Sequence, residues 1–148
     1  MNSDFKDLLR LFNAKKVRYL VVGGYAVIRY AQPRYTGDID IFVDASIDNS
    51  KLVYDALKEF GAPVDTMTYK DFAEPGYFFQ MGVPPNRIDI LMSVTGLDFN
   101  EAWGRRSISD VGQDKISFIS KEDLIVAKRA AGRPKDLADL ESLTTGNK

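Results

Sequence analysis

The chain has 148 residues, 45% of them hydrophobic and 28% charged, with a formal net charge of −1. That is the size and balance of one compact globular domain, with no global basic field to draw in nucleic acid. Cysteine and histidine are both absent, which excludes disulfides, thiol nucleophiles, Cys-based zinc sites and serine–histidine triads.

In chain order, Phe5, Leu8, Leu9 and Phe12 fall at i, i+3, i+4 and i+7, one stripe of an amphipathic helix with Ser3 as its N-cap. Tyr19–Val22 is a short β-rich run ending at Gly23-Gly24. Tyr25–Ala31 reads as a helix stopped by Pro33. Asp38–Val43 alternates acid and apolar residues, as a partly buried strand does, and Ser50–Phe60 is a second amphipathic helix closed by Gly61. Residues 62–76 fit no single element.

Tyr77–Met81 and Arg87–Ser93 read as strands joined through Pro84-Pro85-Asn86. Asp98–Arg105 is a short helix around Trp103, which is read as core. Lys115–Ile119 is a strand paired near Ile108. Ser120 caps a helix through Ala131, with Asp123 in the capping-box position and Gly132 after it, and Pro134 fits the first turn of a last helix through Leu143. Interleaved strands and helices argue for an α/β or α+β fold. The N-terminal residues are too charged for a signal peptide and no apolar run reaches the length of a membrane span. The expectation is therefore a soluble, cytoplasmic protein.

The chemistry lies in the acids. On a strand, Asp38 and Asp40 share a face about 7 Å apart at Cα, while Ile39 and Ile41 anchor the opposite face. Asp89 repeats the pattern between Ile88 and Ile90, where an acid is costly unless paired or bound to a cation. Three such carboxylates can hold two Mg²⁺ about 3.5–4 Å apart, a site suited to in-line phosphoryl or nucleotidyl transfer. The alternative for Asp89 is an internal pair with Arg87 or a nearby lysine. Strand, Gly23-Gly24 and helix together offer close backbone approach and free N–H groups to a phosphate.

Gly23-Gly24, thirteen intervening residues, Asp38-Ile39-Asp40 and then Asp89 in a later strand resemble the polymerase-β-type nucleotidyltransferase superfamily. The stretch from Asp123 to Leu140, with Lys128, Asp136 and Asp139, is similar to the C-terminal motif of AbiEii-type abortive-infection toxins and lincosamide-type nucleotidyltransferases. The resemblance runs from Tyr19 to Leu140. It implies a nucleotidyltransferase core over about residues 17–119, a mixed β-sheet flanked by helices, and a short helical C-terminal appendage over about 120–144, all in one domain.

It further implies that Asp38 and Asp40 bind both Mg²⁺ ions. Asp89 would bind the catalytic ion and help activate an acceptor hydroxyl, and Gly23 and Gly24 would meet a nucleoside triphosphate. Many family members carry Ser where this chain has Gly24, so the backbone contact is kept and one hydrogen bond to phosphate is lost. Thr36 and Arg34 are read either as phosphate contacts or as loop residues. Lys128 either meets a phosphate or pairs internally with Asp136 or Asp139. Arg129, Arg133 and Lys135 are read as a charged helix end.

Two functions stay open. One is an enzyme moving a nucleoside monophosphate from a triphosphate to a hydroxyl of a small molecule, an RNA 3′ end or a protein side chain, with release of pyrophosphate. The other is a nucleotide-binding component of a toxin–antitoxin pair with little catalysis. Little chain remains for an acceptor domain, so substrate walls would come from a second copy, as in a homodimer, or from a cognate partner.

Overall fold

The computed structural model describes residues 1–31 and 36–145. Pro33 and Arg34, singled out above, lie outside the described residues. The elements are α1 (Ser3–Ala14), β1 (Tyr19–Val22), α2 (Gly23–Tyr30), β2 (Ile39–Val43), α3 (Ile47–Phe60), a 3₁₀ helix (Tyr69–Ala73), β3 (Phe78–Met81), β4 (Ile88–Leu91), α4 (Phe99–Gly104), β5 (Ser107–Val111), β6 (Asp114–Phe118), α5 (Lys121–Ala131) and α6 (Pro134–Thr145).

The six strands form one mixed sheet in the order β3-β4-β2-β1-β6-β5. β2 and β4 run parallel, as do β1 and β6, and the other neighbours are antiparallel. This is the mixed α/β architecture expected, a sheet flanked by helices. Every residue of β1 is buried, as befits a central strand.

Pairing fixes which residues share a face, because directly opposed residues point the same way. Val22, Asp40, Asp89 and Gln80 form one row across β1, β2, β4 and β3. Leu20, Phe42, Leu91 and Phe78 form the next row on that face. The alternate residues Ile39, Ile41, Ile88 and Ile90 go to the other face and are buried. Aromatic pairs tie helices to the sheet: Phe99 of α4 meets Phe42 edge-on at 5.0 Å, and Phe72 of the 3₁₀ helix meets Phe79 at 5.7 Å. α2, α5 and α6 pack on one another.

Several boundaries differ from the sequence reading, each for a local reason. Asn2, not Ser3, caps α1, its side chain accepting the Phe5 N–H at 2.9 Å. α3 begins at Ile47 because Ser46 caps it, earlier than Ser50. α2 begins at Gly23 rather than Tyr25, so the two glycines are its first turn and not a turn before it. Ser120 caps α5 as expected, but the Asp123 carboxylate does not close a capping box. It takes both arms of Arg105, at 3.0 Å each, and pins α4 to α5. Among the described residues no helix is long and apolar enough to cross a membrane.

Candidate active site

The row Val22–Asp40–Asp89–Gln80 crosses the sheet where β1 gives way to α2. Gly23 makes that junction. Its φ is +66°, and a Cβ there would overlap the Asp40 carboxylate, so only glycine fits. No side chain caps the N-terminus of α2, which leaves its first N–H groups beside the cavity lined by Gly24.

Asp40 and Asp89 are direct register partners on parallel strands. Burial, a side-chain hydrogen bond with Asp89 and the charge of Asp89 push the Asp40 carboxyl up to about 6, against the pull of Lys135 and Lys128. Asp89 is 6% exposed. Asp38 precedes β2 and accepts the backbone N–H of Arg87 at 3.2 Å.

Arg87 is the resident cation of this cluster. Its guanidinium lies 3.4 Å from Asp38 and 3.1 Å from Asp89. The pairing of Asp89 with Arg87, the alternative raised from the sequence, is thus present. Asp38 is engaged with Arg87 rather than gathered against Asp40 and Asp89. Among the described residues no three acidic side chains stand grouped to hold a metal ion as they are.

The acids open into a cavity of about 620 Å³. Thr36, Gly37 and Gly24 form part of its wall, Gln80 and Phe78 another part, and Arg133 and Lys135 face the acids. By sequence Arg133 and Lys135 are a charged helix end. The return of α6 onto α2 carries them to the site. The one signal for this was their position just ahead of and inside the Pro134 helix start.

Lys128 is paired internally. It is 8% exposed, with Nζ 3.2 Å from Asp136 and 2.9 Å from Asp139. Asp136 also takes Arg133 at 2.6 Å. Burial raises the Asp136 carboxyl, but hydrogen bonds from Arg133 and Lys128 outweigh it and hold the group at about 2. Lys128 borders a smaller cavity shared with Gly23, Gly24 and Asp40, so its resident partners are carboxylates although it stands at the edge of the site.

A mixed sheet with acids on adjacent parallel strands, a glycine helix start over them and cations opposite defines a nucleotidyltransferase fold. Residues 3–147 match the model of a family described as "Nucleotidyltransferase of unknown function (DUF6036)", and the chain belongs to that family. Among solved structures, the lincosamide antibiotic adenylyltransferase LnuA, in its lincomycin-bound form, is similar. The TM-score is 0.56 at 19% identity, over 98% of this chain and 97% of that one. At that identity the likeness is one of fold. No curated protein matches the chain.

Proposed function

We propose that the chain transfers a nucleoside monophosphate from a nucleoside triphosphate to an acceptor hydroxyl, with magnesium. The observation that carries this reading is the Asp40–Asp89 pair, roofed by Gly23 and faced by Arg133 and Lys135 in one cavity. Carboxylates alone would suit a cation, and lysine and arginine alone would suit an anion. Together they suit a metal–triphosphate complex.

The donor set fits magnesium. All three acids offer hard oxygen ligands. Asp89 Oδ1 is buried without a hydrogen bond, and burial together with the neighbouring Asp89 raises the Asp40 carboxyl to about 6, a penalty on the charged form that a bound cation would offset. Asp38 completes the set once Arg87 releases it. Magnesium held by Asp38, Asp40 and Asp89 supplies charge neutralisation of the phosphate oxygens.

The chain's own residues do the rest. Gly23 and Gly24 offer backbone N–H groups to the phosphates, with Thr36 beside them. Arg133 and Lys135 hold the charge of the phosphate tail. Asp89 orients the acceptor hydroxyl and takes its proton, which passes on to water. The hydroxyl oxygen bonds to the α-phosphorus, the bond from that phosphorus to the α–β bridging oxygen breaks, and pyrophosphate leaves with that oxygen. Lys128 acts through Asp136, fixing α6 so that Arg133 and Lys135 face the acids.

By likeness to LnuA, which binds lincomycin, a small molecule is favoured as acceptor over an RNA 3′ end or a protein side chain. Gly24, lacking the serine hydroxyl, favours a second reading, a nucleotide-binding component of a toxin–antitoxin pair with little turnover. Incubating the protein with each labelled triphosphate, Mg²⁺ and a panel of hydroxyl acceptors separates the two. The proposal expects pyrophosphate release that Asp89→Asn abolishes. Tight, metal-dependent binding with no release under any acceptor supports the second reading instead.

A further inference from the structure

Phe78 lines two cavities. It closes the edge of the active cavity, and it also borders a second cavity of about 580 Å³. The second one is walled by Met67, Met92, Tyr77, Asp71 and Glu74. Tyr77 and Phe78 are 65% and 59% exposed, a large aromatic area to leave in water beside a site. Phe78 lies on the same sheet face as Asp89, one strand over and two residues along. That diagonal is about 7–8 Å, within reach of one small molecule.

The charge of this second cavity is of one sign. Asp71 and Glu74 line it, and among the described residues no lysine or arginine does. One Asp71 oxygen accepts the Thr68 N–H at 2.9 Å. The Glu74 carboxylate has no side-chain partner among the described residues. Two methionines and two aromatic rings present soft, polarizable surface, and aromatic faces favour cations. The same acids repel a polyanion, so a nucleic-acid end is disfavoured here.

We propose that the second cavity is the acceptor site, and that it takes a small organic cation with an apolar body and a hydroxyl. The apolar body rests on Phe78 and Tyr77. The ammonium lies toward Glu74 and the hydroxyl reaches along Gln80 to Asp89. The acceptor role rests on the nucleotidyl-transfer reading above, whereas recognition of the cation by this cavity does not.

The test titrates the full chain, without nucleotide or metal, with N-benzylethanolamine, a hydroxyl-bearing cation with an aromatic body. Benzyloxyethanol, of like shape and uncharged, is the control. Amide shifts in a ¹H–¹⁵N spectrum report the binding. The expected result is shifts at Tyr77, Phe78 and Met92, with the amine binding about threefold tighter than the ether, the size of one exposed charge interaction. Glu74→Gln removes that difference, and Phe78→Ala weakens both probes. Equal binding of amine and ether, an unchanged preference in Glu74→Gln, or no shift at these residues from either probe overturns the proposal. A single-stranded RNA oligonucleotide that displaces the amine overturns it in favour of a nucleic-acid acceptor. Because this titration omits nucleotide, a failure of metal–triphosphate binding refutes the transfer reading and leaves the cation result to be judged separately.

Discussion

Arg87 Nε lies 3.1 Å from Asp89 Oδ1, yet both atoms are buried without a hydrogen bond. The contact is one of charge and not of donor geometry. A guanidinium spanning Asp38 and Asp89 balances those two acids, and a partner held by charge alone is easier to displace.

Removing that guanidinium should therefore favour the metal. Arg87→Gln is expected to raise Mn²⁺ affinity in nucleotide-free protein by about fivefold, near 1 kcal/mol, measured by calorimetry. It should also lower the melting temperature without metal, since Asp38 and Asp89 then lack their cation. Unchanged or weaker Mn²⁺ binding would show that Arg87 supports the metal site instead of occupying it.

Asp40 gives a pH signature. Its folded carboxyl is raised to about 6, above the ordinary value of about 3.9. A raised carboxyl contributes stability that is full below about pH 4 and lost as pH rises through about 6. Asp40→Asn avoids that loss. It should match the parent near pH 4 and exceed it at pH 8 by on the order of 2 kcal/mol in denaturant unfolding. An equal offset at both pH values would separate the effect from ionisation. Asp136, held at about 2, has the opposite sign. Its contribution is present above about pH 4 and lost as pH falls toward 2, outside the window compared.

Lys128 should behave as a buried structural cation. Both its carboxylate partners are themselves buried. Lys128→Met is expected to cost about 3–5 kcal/mol of folding stability, read from the denaturant midpoint. A variant as stable as the parent that binds triphosphate at least about tenfold more weakly would return Lys128 to the role of a phosphate contact.

Lys135 should do the converse. It lines the active cavity and is exposed, with no ion pair among the described residues. Lys135→Ala is expected to shift stability by less than about 0.5 kcal/mol and to weaken metal–triphosphate binding about tenfold. Unchanged affinity would leave the phosphate tail to Arg133 and the α2 backbone.

The acids were legible in the sequence because strand alternation is local. Asp40 and Asp89 each sit between apolar neighbours that must face the core, so their shared face followed once the strands were drawn. Gly23 was legible as a close approach, though not as the first residue of a helix lying on Asp40. Arg87 was legible as a partner of Asp89, but its reach to Asp38 and the membership of Arg133 and Lys135 in the site were not. Each reaches it through a long-range pairing, β2 beside β4 or α6 returning onto α2, that no periodicity encodes. Lys128 showed its buried face through its small and apolar neighbours, but the choice between phosphate and carboxylate depended on where α6 turned. Phe78 read as an ordinary strand residue, and only the sheet order placed it at an open edge.

In the proposed reaction Asp38, Asp40 and Asp89 bind a triphosphate through a divalent cation. Calorimetric titration of each nucleoside triphosphate into the protein, with Mg²⁺ and then with EDTA, tests it most directly when repeated on Asp40→Asn. The expected result is binding of at least one triphosphate that EDTA abolishes and that Asp40→Asn loses while remaining folded. Equal affinity with and without metal, or undiminished binding by folded Asp40→Asn, would contradict it.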